Sequence, residues 1–235
     1  MVEGPTLVAE ALRAGLLVTD VFVDEHADRD GLASGYGRLQ VVASGVLDRV
    51  LSTVSPQPWA AVVALPSTAA TEVLAGLGPV VVLAGVQDPG NVGTVIRAAE
   101  AAGAAGVLTL DGTADPFSPK VVRSSAGSVL RVPIASVADD ELVGLIRDHE
   151  RRLVVTAMAG STDLWSSSIG DESVLVLGNE AAGVPQWLID EADMALSIPM
   201  SGEVESLNVA MAATLVLFEA ARTRAQPGTT HGGDK

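Results

Sequence analysis

Short apolar runs recur along the second half of the chain, at 80–83, 107–110, 132–134, 153–156, 174–177 and 195–198. They are too short for helices and carry little polar alternation, the pattern of strands buried on both faces. Between them the apolar positions take a helical period, which predicts helices over 92–102, 119–126, 140–149 and 184–191, and a last one over 207–222. Alternating strands and helices predict an α/β fold built on a mostly parallel sheet covered on both sides. The first 66 residues read as a small α/β unit of their own. Helical spacing covers 6–14 after Pro5, extended segments fall at 20–23, 41–42 and 60–65, a Gly/Ser loop at 31–37 and a second helix at 44–53. Residues 67–78, opened by Pro66 with Ser and Thr and closed by Gly78, read as a linker to the main domain, 79–224. The last stretch, AQPGTTHGGDK (225–235), is expected to be disordered. No internal repeat is visible. The chain meets its first helix almost at once, so an N-terminal element is expected to be missing.

Composition narrows the function classes. No apolar run approaches the roughly 18 uninterrupted residues of a membrane span, and the most apolar segment, 209–221, reads as a core helix. The start lacks the pattern of a secretory leader. There is no cysteine, and the three histidines, His26, His149 and His231, are scattered. No metal site is therefore expected, and the setting is read as cytoplasmic. The 14 basic against 29 acidic residues give a net charge of −15. A field of that sign repels nucleic acid, whose non-specific binding depends on Lys and Arg. Any RNA contact must come from a local basic patch.

Three loops could carry chemistry, each following an expected strand. In DPGNVGTVIRAAEAAG (88–103), Asn91 is read as the helix N-cap. Val92, Val95, Ile96 and Ala99 form the buried stripe, and Arg97 lies off it, where it could hold an anion or be an ordinary surface arginine. In LGNEAAGVP (177–185), Glu180 sits at the tip of a glycine turn, as a ligand contact, a cap or a solvated carboxylate. In IPMSGEVESLN (198–208), Ser206 and Asn208 stand at the mouth of the apolar last helix, where one cap would suffice. Ligands of open α/β sheets bind beyond the carboxyl ends of the strands.

Taken together the three loops resemble the SpoU/TrmH family of RNA ribose 2′-O-methyltransferases. Asn91, Gly93 and Arg97 match its N-x-G-x-x-x-R motif, Gly178, Glu180 and Gly183 its G-x-E-x-x-G motif, and Ile198 to Val209 its I-P-M-x-G-x-x-x-S-L-N-V motif. The resemblance covers about residues 79–222, and Ala181 departs from a position where glycine is common. It implies an α/β domain with a C-terminal trefoil knot, preceded by a small substrate-binding domain, and a homodimer that covers the apolar last helix. It implies S-adenosylmethionine as cofactor, held at Thr156, Ala157, Gly178, Ile198, Pro199 and Leu207. Arg97, Asn91, Glu180, Ser206 and Asn208 would form the catalytic group, with Arg97 either the base or a fixed cation. A guanidinium, which effectively always carries its proton, favours the second. SPKVVRSSAGS (118–128) is also similar to a family segment, and Lys120, Arg123 and Arg131 are the expected phosphate contacts. The RNA would be ribosomal or transfer RNA. A binding module that kept the fold without the reaction is the alternative. A dinucleotide- or P-loop enzyme is disfavoured, because no G-x-G-x-x-G or G-x-x-x-x-G-K-[ST] follows a strand.

Overall fold

The computed structural model describes residues 1–28, 35–51, 53, 55–157, 162–202 and 206–225. The expected tail beyond 225, part of the 31–37 loop and Glu203 to Glu205 of the third motif lie outside the described residues.

Two sheets organise the chain. The first holds β1 (Val2–Glu3), β2 (Val18–Asp24), β3 (Arg38–Val42) and β4 (Trp59–Val63), with helices α1 (Pro5–Arg13) and α2 (Val46–Val50). Its order is β1-β4-β2-β3, with β4 antiparallel to both neighbours and β2 parallel to β3. Val8 and Ala11 of α1 are buried against it. The chain then passes through α3 (Ala70–Ala75) to β5 (Val80–Ala84), α4 (Pro89–Ala101), β6 (Gly106–Thr109), α5 (Pro119–Ser124), β7 (Ile134–Ser136) and α6 (Asp139–Asp148). The remaining elements are β8 (Arg152–Thr156), β9 (Thr162–Asp163), β10 (Ser173–Gly178), α7 (Gln186–Glu191), β11 (Met194–Ser197) and α8 (Val209–Ala225). These strands form a sheet in the order β7-β6-β5-β10-β8-β11-β9, parallel at every pairing. The chain makes β5 and β8 first and later lays β10 between them.

The apolar runs are buried on both faces for the expected reason. Val81 and Leu83 of β5 point into one core with α4, α5 and α8, while Val80, Val82 and Ala84 point into a second with α3, α6 and α7. The first core continues without a break into the small unit through Val2, Val8, Val21 and Trp59. No helix among the described residues is long and apolar enough to cross a membrane.

The segment 67–78, expected as a linker, contains α3, whose Val73 and Leu74 are buried. Arg151 pins its end, donating to the carbonyls of Leu74 at 2.6 Å and Gly78 at 2.8 Å, and also to Gly76. Six residues are too few to display a helical period, which is why the sequence concealed this helix. The strand expected at 132–134 begins two residues later, because Pro133 has no N–H for the ladder and Ser128–Leu130 forms a 3-10 turn just before it. The two-residue strands β1 and β9 carry no periodic signal at all.

Candidate active site

The carboxyl ends of β5, β10, β8 and β11 lie side by side, and the three motif loops leave from β5, β10 and β11. The β5 loop turns into α4 at Asp88, whose carboxylate accepts from the Gly90 amide at 2.6 Å. Asp88 is therefore the N-cap, followed by Pro89 at the first helical position, and this corrects the reading of Asn91 as the cap. That amide bond and, to a lesser degree, nearby Lys120 hold the Asp88 carboxyl below its ordinary pKa against the opposing effect of desolvation.

Freed from capping, the Asn91 side chain ties the other two loops together. Its Nδ2 donates to Glu180 Oε1 at 2.9 Å, and its Oδ1 accepts from Asn208 Nδ2 at 3.0 Å. Asn208 Oδ1 in turn accepts from the amide of Ala210 at 2.9 Å, capping α8. The amide orientations follow from chemistry: an ionised carboxylate only accepts and a backbone N–H only donates, so each asparagine has one possible facing. Glu180 also receives the amides of Gln87 and Asp88, both at 3.4 Å. Partial burial pushes the Glu180 pKa up, but these hydrogen bonds, with Asn91 the strongest, outweigh it and leave the carboxyl below its usual range. Asn208 thus caps α8 with one end of its amide and bonds Asn91 with the other.

The β10 loop is shaped by two residues. A Cβ on Gly178 would stand 2.2 Å from the main chain of Gly183 and Val184, so only glycine permits the tight return. Asn179, which the motif reading passed over, accepts from the amides of Ala181 and Ala182 and donates to Gly85 O at 2.8 Å, joining this loop to the β5 loop. An Asn beside a Gly at a strand end is a turn signal that could have found it. Ala181 is not at positive φ, so its departure from glycine is without backbone strain.

Arg97 is exposed one turn after Gly93. The stripe of Val92, Val95, Ile96 and Ala99 is fully buried as expected. Gly93 lets α5 approach α4: a Cβ there would meet Ser124 Oγ at 1.9 Å, and Ser124 donates to Pro89 O at 3.1 Å. The basic residues divide into three cases. Arg123 is exposed, and Lys120 lies 3.5 Å from Asp88. Arg131, expected on phosphate, is instead committed to Glu100 of α4 and Glu10 of α1, and its pKa is raised chiefly by the Glu100 hydrogen bond. It staples the small unit to α4 with its charge already matched.

At the neighbouring strand ends, Thr156 Oγ1 donates to Val176 O at 3.1 Å and the Ala157 amide to Leu196 O at 2.8 Å. Gly178, Thr156 and Ala157, and Ile198 and Pro199 thereby end three adjacent strands. Ile198 and Leu207 are half-buried. Ligands of open α/β sheets bind beyond such strand ends. Ser206 is exposed beside Leu207.

Comparison with known proteins identifies the family. The model of the SpoU rRNA Methylase family matches residues 78–218. A Bacillus subtilis protein named 23S rRNA (guanosine(2553)-2′-O)-methyltransferase RlmP is 34% identical over 219 residues, 93% of this chain and 86% of its own. The crystal structure of the SpoU methyltransferase AviRb from Streptomyces viridochromogenes, in complex with AdoMet, superposes with a TM-score of 0.85 at 29% identity, covering 95% of this chain and 89% of that one. An AdoMet-bound rRNA methyltransferase from Sinorhizobium meliloti gives 0.83 at 33% identity over 96% and 87%. The matched model spans the large sheet and all three motif loops, and the chain belongs to the SpoU rRNA methylase family.

Proposed function

We propose that this protein transfers the methyl group of S-adenosylmethionine to a ribose 2′-hydroxyl of RNA, and that the RNA is 23S ribosomal RNA. The observation that carries the reading is the Asn91–Glu180–Asn208 network, which locks three loops around the strand ends beside the exposed Arg97. The choice of ribosomal RNA rests on the Bacillus subtilis relative, whose match runs through the small unit as well as the large sheet. A ribosomal target makes the setting cytoplasmic.

Thr156, Ala157, Gly178, Ile198, Pro199 and Leu207 would hold the cofactor, mainly through main-chain groups. S-adenosylmethionine supplies a methyl group already activated on a sulfonium, so the chain's own task is to position and activate an alcohol. Arg97 is the residue we assign to that task. As a fixed cation it grips the phosphate next to the target ribose and stabilises the negative charge that develops on O2′. Ser206 orients the ribose. Asn91 and Asn208 already use both ends of their amides on protein groups, and Glu180 anchors them. All three are positioning residues.

In the same reading, residues 1–66 bind substrate and 79–224 catalyse. The segment leading into α8 passes through a preceding loop as a trefoil knot, which agrees with β10 lying between β5 and β8 and with the return of α8 onto α4. A second copy covers the face of α8 that carries Met211, Leu215 and Phe218, large apolar residues left 63%, 37% and 49% exposed.

The test is transfer of labelled methyl from S-adenosylmethionine into unmodified 23S ribosomal RNA and, in parallel, transfer RNA, with the modified atom mapped. Label on a ribose O2′ of 23S RNA that disappears in Arg97→Ala, while cofactor affinity persists, is the expected result. Arg97→Lys keeps the charge without the fork, and should recover only a small part of the rate. Cofactor binding with no transfer to either RNA would refute the proposal and favour a binding module.

A further inference from the structure

A cavity of about 250 Å³ that none of the motif loops lines lies between α5 and the small unit. Its walls include Leu7 of α1, Val50 and Leu51 at the end of α2, and Val122 of α5, with Glu3 and Arg123 as its charged members. Drug-sized ligands occupy roughly 300–1,000 Å³, so this space suits one flat ring system rather than a whole nucleotide.

The charges around it are unusual for this protein. Among the described residues three guanidiniums make neither a hydrogen bond nor an ion pair: Arg49, Arg97 and Arg123. Arg97 belongs to the motif site. The other two flank the cavity, Arg123 in its wall and Arg49 next to Val50. In a chain of net charge −15, free cations are the places where a phosphate backbone can dock. Glu3 is held in one pose: its Oε1 accepts from the Gln57 amide and the Thr53 hydroxyl, and its Oε2 has no partner among the described residues. A fixed acceptor at an apolar wall matches the N–H donors on the edge of a nucleobase. The cavity also adjoins the motif site, since Arg123 is followed by Ser124, which bonds Pro89 at the start of α4. Sequence-specific RNA recognition works through bases splayed out of the stack and bonded at their edges.

We propose that this cavity takes an unstacked nucleobase of the RNA substrate close to the target nucleotide, with Arg123 and Arg49 on the flanking phosphates and Glu3 Oε2 accepting from the base edge. The inference rests on the RNA-methylating reading above and adds a specificity site to it.

The chain contains no cysteine, so Val50→Cys puts a unique thiol at the cavity wall, at a position 63% exposed. The rate of its alkylation by a maleimide is measured alone, with 23S ribosomal RNA transcript, and with heparin, a polyanion without bases. Leu77→Cys, at a position 94% exposed, serves as the remote control. Protection of at least about tenfold by the transcript at position 50, none at 77, and little from heparin is the expected result. Protection must weaken when Arg123→Ala is added. In the cysteine-free chain, Val50→Trp should raise KM for the transcript by about tenfold with cofactor affinity unchanged. No protection by the transcript, or equal protection by heparin, overturns the proposal. Because alkylation is read without any turnover, a chain that transfers no methyl group would sink the proposed reaction while protection still decided the cavity.

Discussion

Gly178→Ala asks whether loop geometry, rather than the list of motif residues, makes the site. The added methyl would stand 2.2 Å from Gly183 C and 2.2 Å from Val184 N. Carbon atoms pack best at about 3.5–4.0 Å, so the contact to Gly183 C falls short by about 1.3 Å. Both obstacles are main chain, and no rotamer change relieves them. Gly183 cannot yield easily, since its amide and carbonyl exchange hydrogen bonds with Asn179 at 2.9 and 3.0 Å and its φ is +72°. The strain therefore passes to the loop tip that carries Glu180. A shift of about 1 Å there takes the 2.9 Å bond to Asn91 beyond good hydrogen-bond length. Overpacking of this kind costs about 1–3 kcal/mol, which for a chain of this size is a fall of roughly 2–12 °C in Tm. A misplacement of about 1 Å at a catalytic constellation costs on the order of 100-fold in rate. Thermal unfolding and single-turnover methyl transfer, measured on the same preparation, read both effects. A variant with unchanged Tm and a rate within about twofold of wild type would show that the loop tolerates the methyl and that close approach does not shape the site.

Other outcomes follow from named contacts. The Glu180 carboxyl has a lowered folded pKa, so its contribution to stability is complete above the ordinary glutamate range, near pH 4.3, and is lost as pH falls through the folded value. Glu180→Gln should be less stable than wild type at pH 7 and equal to it in strong acid, and a constant difference across a pH series of unfolding curves would contradict this. Arg151→Ala leaves the carbonyls of Leu74, Gly76 and Gly78 without their donor, and should cost about 3 kcal/mol in denaturant unfolding while KM for RNA stays unchanged. Phe218→Asp charges the open face of α8. It should turn a dimer into monomers in sedimentation equilibrium, and a variant still dimeric at micromolar concentration would move the interface elsewhere.

The division between sequence and tertiary structure is sharp in this chain, and it has a physical cause. Strands buried on both faces need continuous apolar residues, so β5, β8 and β10 were legible as VVVLA, RLVVT and SVLVLG. The stripe of α4 was legible because a helix facing one core repeats every turn. The three motif loops were legible because glycine and small polar residues break the apolar pattern directly after a buried strand, and such residues mark turns. Short elements were not: β1, β9 and α3 are set by pairing and by Arg151 rather than by any local period. The role of Asn91 was not either, since Asp88 and Asn91 are both good caps and only the helix start at Pro89 chooses between them. The sequence placed Arg131 among the phosphate contacts because it counts charges without their partners. Folding brings Glu10 and Glu100, distant along the chain, onto that one guanidinium, and leaves Arg49, Arg97 and Arg123 without a partner among the described residues. Local pattern reports which residues are buried and where the chain turns. Which polar groups meet depends on contacts more than a hundred residues apart, such as Asn91 with Asn208, and those exist only once the chain has folded.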